Sequence, residues 1–164
     1  MLGLTTLGAV HTAISLIALA AGIAAFVRHG AISLRTRPGQ LYVVTTVLTC
    51  LTGFGIFQRG GFNEAHVLGI VTLVVLVVAA AAGRDRLGRL SRYIEAVGYS
   101  ATFFFHMIPA FNETGSRLPL GAPLISGPDD PKFQAAVGAA FLVFLIGAFV
   151  QVRRLRRQPG LHAG

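Results

Sequence analysis

Charge is scarce in this chain. Of its 164 residues 12% are Asp, Glu, Lys or Arg, and only six of those are acidic. Hydrophobic residues make up 54% and the mean hydropathy is +0.69, far too apolar for an ordinary soluble domain. Cysteine occurs once, at Cys50, which excludes an internal disulfide and, without a CxxC, a dithiol redox pair. Cys50 reads as a packing residue. There is no Walker loop, no GxSxG elbow, no HExxH, no CxxCH and no GxGxxG followed by an acid. Nucleotide binding, serine hydrolysis, zincin proteolysis and covalent c-type haem therefore have no support in the residues.

What is present is a series of long apolar stretches separated by short basic runs. A helix needs about 20 residues to cross a hydrocarbon core. Five stretches approach that length, roughly Leu4 to Val27, Leu41 to Gln58, Ala65 to Gly83, Tyr93 to Phe111 and Phe133 to Val152. The expected fold class is an all-α integral membrane protein, a five-transmembrane-helix bundle forming one domain over residues 1–157. A Pro/Gly-rich connection at 114–132 and a short tail at 158–164 complete it.

The formal charge of +8 would suit nucleic acid only if the basic residues shared a water-exposed face. They lie instead in the connections Arg28 to Gln40 and Arg84 to Arg92 and in the run "RRLRR" from Arg153 to Arg157, against only Arg59, Arg117 and Lys132 on the other side. By the positive-inside rule this pattern places the N-terminus outside and the C-terminus and tail in the cytoplasm, as expected of a multi-pass protein of the bacterial inner membrane with the bilayer as its partner. A basic n-region is missing before the first stretch, which argues against a cleaved signal peptide.

One tripeptide, Phe-Asn-Glu, occurs twice, in "GFNEAH" from Gly61 to His66 and in "HMIPAFNETG" from His106 to Gly115. Each copy has a histidine close by. At 1.5 Å per residue, His11, His66 and His106 all fall within roughly 10 Å of the outer interface. His11, Ser15, Ala18 and Gly22 form a small-residue stripe of the kind that lets transmembrane helices approach closely, so His11 is expected to face inward. His66 shares a side with Gly69. Glu95, Tyr99, Thr102, His106, Pro109 and Glu113 are spaced by fours and threes, a polar stripe that lipid would not accept. Pro109 lacks the N–H that would bond the Phe105 carbonyl, so a kink is expected just past His106, swinging Glu113 toward it. The segment "TGSRLPLGAPLISGPDDPK" is long enough to fold over such a site as a lid, or to serve as a stiff linker.

Each feature has a plainer reading. A histidine at an interface often holds only its tip in water, and Glu113 has Arg117 at i+4 as an ion-pair partner. Glu64 suits the first turn of a helix through the dipole. Glu95 has Arg92 three residues before it. Thr45, Thr49 and Thr52 read as interhelical hydrogen-bond donors. His29 and His162 carry no role.

The segment from Arg37 to Val77, "RPGQLYVVTTVLTCLTGFGIFQRGGFNEAHVLGIVTLVVLV", followed by a basic loop and a helix bearing His106, resembles an uncharacterised family of bacterial predicted membrane proteins, a domain of unknown function. The likeness rests on a Gly-x-x-Tyr-Val helix opening, here Gly39 to Val43, and a Phe-x-x-x-His opening, here Phe62 to His66. It covers about half the chain. Where the family pattern implies a histidine before the last shared helix, this chain has Leu90, Ser91 and Arg92. The resemblance implies a bacterial membrane protein and no particular reaction.

The residues together lead to a periplasm-facing metal site of His11, His66 and His106, with Glu113 as a fourth ligand or catalytic general base. Three imidazoles suit zinc, and also iron or copper, and a metal there would activate water for chemistry on a lipid or small periplasmic substrate. The alternative is a b-type haem held by two of the histidines, making an electron carrier. A third reading is an accessory or assembly subunit of a membrane complex whose histidines do no chemistry.

Overall fold

The computed structural model describes residues 5–57 and 61–157. The expected tail at 158–164 with His162, and also Leu4, Gln58 and Arg59, lie outside the described residues. Among those described there are five α-helices and no strand: α1 (Thr6–His29), α2 (Arg37–Gly53), α3 (Glu64–Ala82), α4 (Ser91–Gly115) and α5 (Pro131–Arg157). A 3₁₀ turn at Gly88–Leu90 leads into α4.

The helix starts follow local capping chemistry. Thr5 accepts from the Gly8 N–H ahead of α1, and Thr36 accepts from the Gly39 N–H ahead of α2. With Pro38 inside the first turn, where its missing N–H costs nothing, α2 begins four residues before the apolar stretch does. α1 ends at Gly30, whose φ of 74° places it in the left-handed region that glycine tolerates, and whose N–H returns to the Phe26 carbonyl. At the other end of the chain α5 runs on through the arginine run, so "RRLRR" forms its last turns rather than a tail.

Three helices, α1, α3 and α5, are long and apolar enough to cross a membrane. The five apolar spans expected from the sequence are therefore met by three, for two different reasons. α2 has 17 residues, about 26 Å at 1.5 Å per residue, short of a hydrocarbon core of about 30 Å. α4 has 25 residues but carries the polar stripe. That stripe is turned inward, because Glu95, Tyr99, Thr102 and His106 are all buried.

α1 packs along α2, while α3 and α5 pack along α4. Small residues make the closest approaches. Ala18, Ala21, Ala25 and Ala79 are buried in a core completed by Ile32, Tyr42, Leu76 and Tyr99. The stripe on α1 faces this core as expected: a Cβ on Gly22 would meet the Phe103 ring at 2.6 Å and the Tyr42 ring at 3.1 Å. Phe26 meets Phe103 edge-on at 5.2 Å, and Phe104 stacks on Phe144 at 5.7 Å to hold α5 against α4.

The long connection between α4 and α5 folds back on the end of α4. The Ile125 N–H donates to the Gly115 carbonyl at 3.1 Å, and the Ile125 side chain, 8% exposed, lies against Gly115. Asp130 stops the loop by accepting from the Ser126 and Lys132 N–H groups, both at 2.9 Å, at the start of α5.

Candidate functional site

The polar stripe of α4 organises the interior of the bundle. At its arginine-rich end Glu95 is 7% exposed. Its carboxylate accepts from Ser33 Oγ at 2.8 Å and from Arg35 Nη1 at 3.1 Å. Arg35 also donates to the Gly83 carbonyl at 2.9 Å, so one guanidinium joins the α1–α2 loop to α4 and to the negative end of the α3 dipole. A Cβ on Gly83 would sit 2.9 Å from Glu95 Oε1, leaving no room for a side chain there. The Arg92 guanidinium donates to the Tyr93 hydroxyl at 2.9 Å.

One turn further along α4 is Tyr99, fully buried, whose hydroxyl has no hydrogen-bond partner among the described residues. Then comes Thr102, also fully buried, with the Tyr42 hydroxyl 3.0 Å away. Thr102 gives its own proton to the Tyr99 carbonyl, so Tyr42 is the donor of that pair.

Beyond Thr102 the bundle opens into a cavity of about 200 Å³ lined from four helices. His11 comes from α1, Thr46 and Thr49 from α2, Thr72 from α3, and His106 and Glu113 from α4. His106 is 6% exposed and its Nε2 is buried without a partner among the described residues, as is the Thr46 hydroxyl. His11 Nδ1 lies 3.0 Å from Thr52 Oγ1. Thr52 spends its proton on the Leu48 carbonyl, so His11 donates from Nδ1 and keeps Nε2 as an acceptor. Leaving a buried polar group unpaired costs roughly 1–3 kcal/mol. The cavity wall is mainly apolar, and these imidazole and hydroxyl groups are among its few polar points.

His11, His106 and Glu113 thus share one cavity. His66 does not join them. It occupies the third position of α3, with Nδ1 3.3 Å from the Asn63 N–H and 3.1 Å from Asn63 Oδ1. This is the position that Glu or Gln takes in a capping box. Its ring is packed among Phe57 at 5.2 Å, Phe62 at 5.3 Å and Phe54 at 6.4 Å. The first Phe-Asn-Glu copy is therefore a helix start: Phe62 packs on His66, Asn63 caps, and Glu64 is the acid of the first turn. The second copy lies inside α4, so the two have different structural jobs.

Glu113 lies at the exposed margin of the cavity and is paired with Arg117, one turn on. α4 continues through Pro109 as one helix. Of the segment from Thr114 to Lys132 only Thr114, still within α4, lines the cavity. Thr45 and Thr49 do not donate between helices; each bonds a carbonyl one turn back in α2. Thr46, which faces the cavity, was not singled out by the sequence. The only signal for it is its adjacency to Thr45.

A structural or catalytic metal asks for at least three converging protein donors. Among the described residues no group of three His, Cys, Asp or Glu offers them. His66 uses Nδ1 in its cap and keeps an Nε2 with no partner among the described residues, but it does not line the cavity of the other three, and Glu113 is paired with Arg117, so the four residues are not brought together as one site for zinc, iron or copper. Haem does not fit the cavity either, since about 200 Å³ is below the roughly 300–1,000 Å³ of pockets that enclose drug-sized ligands. The larger groove between α1, α4 and α5 has no histidine in its wall. The chain matches no family model, no curated protein and no solved structure, so the resemblance of Arg37 to Val77 is not carried by a family model and the site stands on its own geometry.

Proposed function

We propose that the chain is a multi-pass membrane protein that handles protons along its interior polar file, with His106 as the central proton acceptor. The observation that carries this reading is His106, whose Nε2 is buried with no partner among the described residues and whose side chain lines a cavity shared with His11, Thr46 and Glu113. Ionisable groups inside a membrane are costly and mark proton relays and ion paths. From Glu95 to Glu113 the file rises about 27 Å, close to the thickness of a hydrocarbon core of about 30 Å. Tyr99, Tyr42, Thr102 and Thr46 supply hydroxyls between the ionisable ends. Each can accept a proton on oxygen while releasing its own, and the spacing of about 5–6 Å per turn leaves room for water between them.

In this reading all five helices cross the bilayer. α1, α3 and α5 face lipid, and α2 and α4 cross with their polar sides turned into the bundle. The arginine-rich end lies in the cytoplasm of a bacterial inner membrane, with the N-terminus and the α4–α5 loop outside. A topology reporter inserted at Gly121 should be active only in its periplasmic form; a cytoplasmic signal reverses the orientation. Proton flux into liposomes carrying the full chain tests the function itself, and flux no greater than in protein-free vesicles contradicts it.

A further inference from the structure

A second concavity lies on the opposite side of α4 from the histidine cavity. It is a groove of about 850 Å³ between α1, α4 and α5. Phe103, Phe104 and Met107 form its floor, and α5 contributes Ala136, Ala140 and Gly147 to one wall. These small residues recur at helical spacing on α5, which has no buried residue, so the trough they leave is open along its length. Gly147 in particular has nothing within 4 Å of where a Cβ would be.

The groove is polar at one end only. There Gln151 Nε2 donates to the Gly30 carbonyl at 3.2 Å, and Gln151 Oε1 accepts from Ser100 Oγ at 2.9 Å. These bonds tie α5 to the end of α1 and close the trough. Arg154 lies beside them, its guanidinium against Gly30 where a Cβ would have no room. Among the described residues no carboxylate pairs with Arg154. Arg28, Arg156 and Arg157 stand in the last turns of the same two helices. An unneutralised, positioned arginine at the end of an apolar trough is complementary to one kind of amphiphile, with an anionic head and a hydrocarbon tail.

We propose that this groove is a binding site for an anionic phospholipid of the bilayer. Its phosphate pairs with Arg154, and one acyl chain lies along α4 and α5 from Gln151 toward Val143. The eleven residue steps from Arg154 back to Val143 rise about 16 Å, close to half of a hydrocarbon core of about 30 Å, the depth of one leaflet. The site rests on the chain lying in a bilayer and is independent of the proton reading.

The test uses the full chain in nanodiscs of equal phosphatidylglycerol and phosphatidylcholine, released into detergent and weighed by native mass spectrometry. Wild type should retain phosphatidylglycerol in preference to phosphatidylcholine. Arg154→Gln should lower that preference about fivefold, the equivalent of the roughly 1 kcal/mol a basic residue contributes beside an anionic surface. Gly147→Leu, which has open space to occupy, should fill the trough and release both lipids without lowering the melting temperature in detergent. Equal retention of the two lipids by wild type, an unchanged preference in Arg154→Gln, or lipid retained in full by Gly147→Leu would each overturn the proposal. A lipid-free dimer that Gly147→Leu dissociates would assign the groove to a second copy of the chain instead.

Discussion

Replacing Glu95 by Gln removes a buried charge while keeping its shape, and the surroundings bound the loss. Breaking a fully buried ion pair costs about 3–5 kcal/mol, whereas an exposed pair contributes about 0–1 kcal/mol. This pair lies between those limits, with the Glu95 side chain 9% exposed and that of Arg35 63% exposed. Once the carboxylate is neutral, Arg35 can turn to water, so no stranded charge remains. Ser33 keeps an acceptor in the Gln carbonyl. What is lost is the charge on two short hydrogen bonds, and a hydrogen bond to a charged group contributes about 1.5–3 kcal/mol against about 1 for a neutral one. The expected destabilisation is about 1–2 kcal/mol. For a chain of this size that is a fall in melting temperature of roughly 2–8 °C.

The single, partly buried Cys50 provides the assay, since a thiol-reactive dye labels it as the bundle opens during a melt in detergent. Arg35→Gln should lower the melting temperature by more than Glu95→Gln lowers it, because it leaves the buried carboxylate with Ser33 alone and no cation beside it. The double variant should be no worse than Glu95→Gln alone, since both changes act on one interaction. An unchanged melting temperature in Glu95→Gln, or strictly additive losses, would refute the view that Arg35 and Glu95 join the loop to α4 and α3.

His66→Gln should keep the capping box, whose third position Gln also fills, whereas His66→Ala should destabilise by about 1 kcal/mol or more through loss of cap and ring packing. A thiol-dye melt checks this, and equal losses in both variants would contradict the capping role. The Ser126 and Lys132 backbone N–H groups hold the Asp130 carboxyl below its usual value. Its contribution is therefore complete above the unfolded value of about 3.9 and is lost as the pH falls through the lower folded value. Hydrogen exchange in the first turn of α5 should show this acid loosening in wild type and not in Asp130→Asn, and identical profiles would count against the cap.

The helices were legible in the sequence because apolar runs and small-residue stripes are periodic. The inward face of α1, the buried stripe of α4, Glu64 in a first turn and the Glu113–Arg117 pair all follow from residues three or four apart on one helix. Contacts between a loop and a distant helix have no such signature. Arg35 counted only toward the charge balance, yet it is the residue that reaches Glu95, 60 positions away. His66 misled for a related reason. Depth along a helix axis can be counted from sequence, but the direction of a side chain in the first turn is set by the cap, and Asn63 turns this one toward the phenylalanines. Thr45 and Thr49 misled because a hydroxyl in a helix finds a carbonyl of its own preceding turn before it finds a neighbour, whereas Thr52 bonds such a carbonyl and also meets His11 of α1.

The central claim is that protons pass through the cavity at His106. Its most direct test is the decay of an imposed pH gradient in liposomes carrying the full chain, followed with an entrapped pH dye for wild type, His106→Phe and His66→Gln. Wild type should dissipate the gradient faster than protein-free vesicles, and His66→Gln should match it. His106→Phe should be slower by on the order of 100-fold, the lower end of what a positioned proton-transfer group contributes. A His106→Phe rate equal to that of wild type would contradict the account.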